Sequence, residues 1–192
     1  MIRRFSNGAL QRLWKAEQSK QLVQLPPRKF SAVASEKVAS YHTININNAL
    51  MKESENRSLT SIINDPTSTL QGIGPKSSSS LEAIGLRTIQ ELSNYKFYHL
   101  SKAIATMAAT EEEGKRPFDA KMNLNYGLDK KYESCSLKEI LDLPPSVLQG
   151  LSEEKGKLWK EVGVTTIRDL SQYKYCQWAE SIVLLSKYEE VN

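Results

Sequence analysis

The chain has 192 residues, 40% of them hydrophobic, 8% aromatic and 25% charged, which suits a globular protein with one or two packed cores. No apolar run approaches the roughly 18 residues that a membrane-spanning helix needs. Two cysteines and two histidines stand isolated in sequence, giving neither a disulfide framework nor a metal-ligand spacing. The net charge of +4 is split along the chain: positions 1–35 hold seven of the 26 basic residues and one of the 22 acidic ones, so positions 36–192 carry 19 against 21, about −2. A body that neutralises nucleic-acid phosphates has the opposite balance.

Residues 1–30 are rich in Arg, Lys, Gln and Ser and nearly free of acids. Ile2, Phe5, Ala9 and Leu13 fall near one helical stripe, and Arg3, Arg4, Arg12 and Lys15 lie largely off it. This is the composition of an organelle transit peptide. Arg28-Lys29-Phe30-Ser31 resembles a mitochondrial processing site and sets the expected mature N-terminus at or near Ser31. The alternative is a retained basic surface helix. The expected layout is a mitochondrial transit peptide at 1–30 and an extension at 31–44. The expected location is the mitochondrion, in the matrix or associated with the inner membrane.

An internal repeat governs the rest. Shifted by 78 positions, Asn45 to Glu112 aligns without a gap on Asn123 to Glu190, with 23 identical pairs among 68. Leu70-Gln71-Gly72 matches Leu148-Gln149-Gly150, Thr88-Ile89 matches Thr166-Ile167, and Tyr95-Lys96 matches Tyr173-Lys174. Such a repeat describes one supersecondary unit used twice. It predicts helical modules at 45–112 and 123–192, joined by a polar linker at 113–122.

Each copy reads as helices joined by short turns. Ser136 with Glu139, Thr88 with Glu91 and Thr166 with Asp169 have the spacing of capping boxes, in which a hydroxyl and a carboxylate satisfy amides at a helix start. Asp65-Pro66 and Pro144-Pro145 place proline where a first helical turn tolerates it, and Gly85 and Gly163 fall where a helix should end. The final helix of each copy carries apolar residues at helical spacing, Phe97, Leu100, Ile104 and Met107, then Tyr175, Trp178, Ile182 and Leu185. Leu100 and Trp178 are accordingly expected to be buried. With no convincing period-two run, the expected fold class is all-α.

Leu70-Gln71-Gly72-Ile73-Gly74-Pro75-Lys76, followed by Gly85-Leu86-Arg87-Thr88-Ile89, resembles the helix-hairpin-helix family. The resemblance covers roughly residues 66–105 and 144–183 and implies two tandem helix-hairpin-helix-like modules. It makes Gly72, Gly74 and Lys76 candidates for phosphate binding, because amides at a helix start can receive an anion. The second copy departs from the pattern: Gly150-Leu151-Ser152-Glu153-Glu154 puts two carboxylates where a phosphate would approach. Tyr95, Lys96, Tyr173 and Lys174, matched at the corner before each long final helix, are candidates for docking a partner. Local packing of the tyrosine rings is the favoured alternative there.

No nucleophile elbow, Walker loop, dinucleotide fingerprint or metal-binding His/Glu pair is present in the sequence. The expectation is a non-enzyme without catalytic residues, cofactor or metal. It would be a structural or accessory subunit of a large mitochondrial assembly, foremost an ATP synthase or respiratory-chain complex, with other protein subunits as partners. Membrane contact would run only through those partners. The alternative is a mitochondrial nucleic-acid-binding or ribosome-associated helix-hairpin-helix protein.

Overall fold

The computed structural model describes residues 44–112, 114, 115 and 117–190. The expected transit peptide and processing site lie outside the described residues, as does the following extension up to Thr43. Eight α-helices form among the described residues: α1 (Leu59–Ile62), α2 (Pro75–Ile84), α3 (Ile89–Ser93), α4 (Lys96–Ala108), α5 (Leu137–Leu141), α6 (Glu153–Glu161), α7 (Ile167–Ser171) and α8 (Lys174–Ser186). Single 3-10 turns at Asn47–Ala49, Lys52–Ser54 and Thr67–Thr69 in the first copy recur at Asn125–Gly127, Lys130–Tyr132 and Pro145–Val147 in the second. No strand forms among them, and the fold is all-α. Every helix and turn of the second copy starts 78 residues after its counterpart.

Local sequence sets the boundaries. Thr88, Ser136 and Thr166 each accept from the amide three residues on, while Glu91, Glu139 and Asp169 reach back to the cap amide, so all three capping boxes form. Gly85 closes α2. The prolines serve a different element from the α-helix expected of them: Pro66 and Pro144 precede 3-10 turns, which run into extended backbone at Leu70 and Leu148. Antiparallel backbone pairs then tie Leu50 to Leu70 and Leu128 to Leu148, again 78 residues apart.

The two copies do not fold as separate modules. The described residues form one unit with a single apolar core drawn from both. Helix α4 of the first copy packs on α5 and α7 of the second; α8 of the second packs on α1 and α3 of the first; α2 lies against α6. Each long helix thus completes the other copy. The exchange extends to the caps. Glu111, after α4, accepts from the amides of Leu137 and Lys138 at 3.0 Å each, and Glu189, after α8, accepts from those of Leu59 and Thr60 at 2.7 Å each. Carboxylates at helix starts satisfy orphan amides and the helix dipole, about 0.5–2 kcal/mol per cap. Burial alone would raise the Glu189 carboxyl, but its amide bonds outweigh that and hold it below the usual range.

The buried face of the long helices is rotated from the one the apolar spacing predicts. In α4 it is Phe97, Tyr98, Ser101, Ile104 and Ala108, and in α8 it is Cys176, Ala179, Ile182 and Val183. Leu100 and Trp178, expected in the core, are only half-buried, and Met107 and Leu185 are exposed. The small residues Ser101 and Ala179, equivalent in the repeat, are fully buried on these faces. The large residues are pushed to the helix flank, where Leu100 lies 3.4 Å from the position a side chain on Gly127 would take.

Candidate interaction surface

The glycine turns and the tyrosine corners meet each other, and they do so across the two copies. Gly72 and Gly150 have φ of 98° and 91°, the left-handed backbone that glycine adopts without strain. A Cβ on Gly72 would lie 2.7 Å from Tyr175 Oη and 3.9 Å from Lys174 Nζ; one on Gly150 would lie 3.9 Å from Lys96 Nζ and from the Phe97 ring. Each corner therefore seats on the turn of the other half. Lys96 and Lys174 lie exposed over the rings of Phe97 and of Tyr175 and Trp178, at 4.6, 4.7 and 5.1 Å.

Between the corners runs an aromatic row: Phe97, Tyr95, Trp159, Tyr173, Tyr175 and Trp178, with successive ring centres 5.3–5.6 Å apart. Trp159 is fully buried at its centre and donates from Nε1 to the Tyr95 hydroxyl at 3.1 Å. Burial pushes the Tyr95 phenol up to about 12, against the lowering effect of that bond. Burial likewise raises Tyr173, whose hydroxyl has no hydrogen-bond partner.

A polar cluster joins the long helices beside this row. Lys102 Nζ and the buried Tyr98 hydroxyl donate to Glu180 at 2.6 and 2.9 Å. His99 stands 4.0 Å from the same carboxylate and bonds the Ser93 carbonyl through Nε2 at 2.7 Å. Burial would raise the Glu180 carboxyl, yet the Lys102 and Tyr98 bonds together hold it low. Lys102 and Glu180 are themselves repeat equivalents, so one position of the unit supplies both halves of an ion pair.

At the phosphate candidates, the start of α2 has no side-chain cap, and Gly74 and Lys76 are exposed. The backbone of Gly74 is extended and nothing lies within 4 Å of where its side chain would be. The start of α6 is filled instead by its own Ser152, Glu153 and Glu154, and backbone and Ser152 hydrogen bonds hold the Glu154 carboxyl low. The depression next to α2, about 640 Å³ and open to solvent, is lined by Glu53, Ser54, Thr69, Pro75 and Ser78 among others. Among the described residues no group of three His, Cys, Asp or Glu could hold a metal, and no helix is long and apolar enough to cross a membrane. Both cysteines are free, and burial raises the Cys176 thiol well above its ordinary range.

The surface also carries large apolar groups. Phe118, Met122 and Tyr126 are 109%, 90% and 97% exposed, and Leu184, Leu185 and Tyr188 form a second exposed set at the end of α8. The first set is masked in the sequence by the surrounding charges that make 113–122 read as polar. No protein-family model matches this chain, and no curated protein or solved structure is significantly similar to it.

Proposed function

We propose that this protein is a non-catalytic accessory subunit of a large mitochondrial assembly, foremost an ATP synthase or respiratory-chain complex, and that it works by binding other protein subunits. The observation that carries the reading is the pairing of a buried junction between the copies with exposed Phe118, Met122, Tyr126 and Tyr188. Side chains of this size left in water mark surfaces that a partner covers. The mitochondrial part rests on the basic, acid-poor residues 1–30 and on Arg28-Lys29-Phe30-Ser31. The helix-hairpin-helix-like character of each copy rests on Gly72-Ile73-Gly74 and its register with Thr88-Ile89.

The test is sedimentation of gently solubilised mitochondria. Migration with an inner-membrane assembly, with a processed N-terminus at or near Ser31, supports the proposal. Migration at the protein's own mass, alone or as a self-assembly, overturns it. Steeply salt-dependent binding to DNA or RNA, lost in Lys76→Glu, would instead favour a nucleic-acid module.

A further inference from the structure

The depression beside α2 is lined by residues of the first copy that the second copy replaces, within the same backbone frame. Met51 N–H donates to the Thr69 carbonyl at 2.8 Å, and 78 residues on Asp129 N–H donates to that of Val147 at 2.9 Å. Ser54, which lines the depression, stands where the second copy has Tyr132. The Tyr132 ring is half-buried against the core, with Lys131 Nζ 4.6 Å from its centre. Ser78, also on the lining, stands where the second copy has Gly156. A Cβ on Gly156 would lie 3.2 Å from the Ser146 side chain, closer than carbon atoms ordinarily pack, so glycine lets α6 close on the Pro145–Val147 turn. With serine at both places in the first copy, Ser68 and Ser78 line an opening of about 640 Å³ instead. The charge differs as well: Glu53 lines the opening at the place of Lys131.

We propose that this depression is a docking site for another protein subunit, whose occupying group is a tyrosine or phenylalanine ring with a lysine or arginine next to it in sequence. The repeat supplies the template: Lys131 and Tyr132 are such a pair, held in the second copy by the chain itself. In the first copy Ser54 leaves the place of the ring open, and Met51, Ile73 and Pro75 give it apolar surface. Glu53 is opposite in charge to the basic neighbour, which fixes the register of the incoming segment. The site rests on the protein-binding part of the function proposed above and not on its mitochondrial part.

The test titrates the isotope-labelled full chain with end-blocked peptides and follows the amide signals of Thr69, Ile73 and Ser78. Gly-Lys-Tyr-Gly should shift them and bind more tightly than Gly-Glu-Tyr-Gly. Gly-Lys-Ala-Gly should bind about tenfold or more weakly, the worth of one buried ring. Glu53→Lys, at an exposed position, should keep the wild-type thermal midpoint and reverse the preference between the two tyrosine peptides. Ser54→Tyr should block both; if that chain fails to fold, the charge reversal alone decides. No shift at the three amides, or an unchanged preference in Glu53→Lys, overturns the site. The occupant is read in cells with a benzophenone amino acid in place of the exposed Ser79. A link to a different protein, at a peptide with an aromatic residue beside Lys or Arg, is expected. A link to a second copy, or to residues of the chain itself, overturns the partner. Peptide binding without any mitochondrial assembly would leave the site standing and sink the assembly reading; an assembly that Glu53→Lys and Ser54→Tyr leave intact would sink the site alone.

Discussion

The two tyrosine corners occupy equivalent places in the repeat, yet they are not chemically equivalent. Tyr95 faces Trp159, whose indole gives its hydroxyl a donor. Tyr173 packs edge-on against the same indole, with ring centres 5.3 Å apart, but that N–H is taken by Tyr95 and the Tyr173 hydroxyl is buried without a partner. The repeat equivalent of Trp159 is Leu81, which offers no second donor, so the pair of corners divides into a satisfied one and an orphaned one. The repeat sets the geometry, and the differences between the copies decide which hydrogen bonds it can make.

The comparison breaks most severely at its centre. Trp159→Ala should cost roughly 3–5 kcal/mol in a denaturant titration, as for other large aromatic core deletions; an unchanged midpoint would mean the aromatic row does not hold the copies together. The corners themselves sharpen it. Tyr95→Phe strands the buried Trp159 N–H and should cost about 1–3 kcal/mol. Tyr173→Phe removes only an orphaned hydroxyl and should be neutral or slightly stabilising. Equal losses from the two would show that the corners are energetically alike after all.

The exchanged caps give smaller effects. Glu189→Gln and Glu111→Gln should each cost about 0.5–2 kcal/mol, with the loss read in hydrogen exchange at Leu59 and Leu137 respectively. A pH dependence follows for Glu189. Its folded pKa lies below the unfolded one, so the unfolded chain binds the extra proton. The cap's contribution is present above the unfolded value of about 4.3 and is lost as pH falls through the folded value. A Glu189→Gln chain should therefore lose less stability than wild type across that window. Least of all, Lys102→Ala removes a half-exposed ion pair, for which about 0.2–1 kcal/mol is expected, shrinking with added salt.

The all-α character and the helix starts were legible in the sequence, because caps such as Thr88 with Glu91 act over three residues and need no tertiary partner. The exchange of long helices was not. A repeat has the same periodicity whether Ile104 and Ile182 pack against their own copy or the other one, so the pattern is silent on the choice. Burial at Tyr98, Ser101 and Ala179 rather than at Leu100 and Trp178 was hidden for a related reason. Small residues can be buried on a helix face, whereas an apolar stripe is read from large ones. The candidate site was legible as positions only. Gly72 and Tyr95 stand out in the alignment, but that the Tyr173 corner seats on the Gly72 turn, and the Tyr95 corner on that of Gly150, is a fact of the folded chain. The exposed Phe118 and Met122 in the linker were obscured by the charges around them.

The Glu189 cap also sets a timetable. The amide of Leu59 waits for a carboxylate 130 residues further along the chain, and at 5–20 residues per second a ribosome needs roughly 7–26 s to supply it. Over that interval the first half has its own helices but lacks α8, so the faces of α1 and α3 that α8 will cover, Ile62 and Leu92 among them, stay open. The nascent chain is a half-built object that attracts whatever binds apolar surface, and the arrival of α8 ends that exposure.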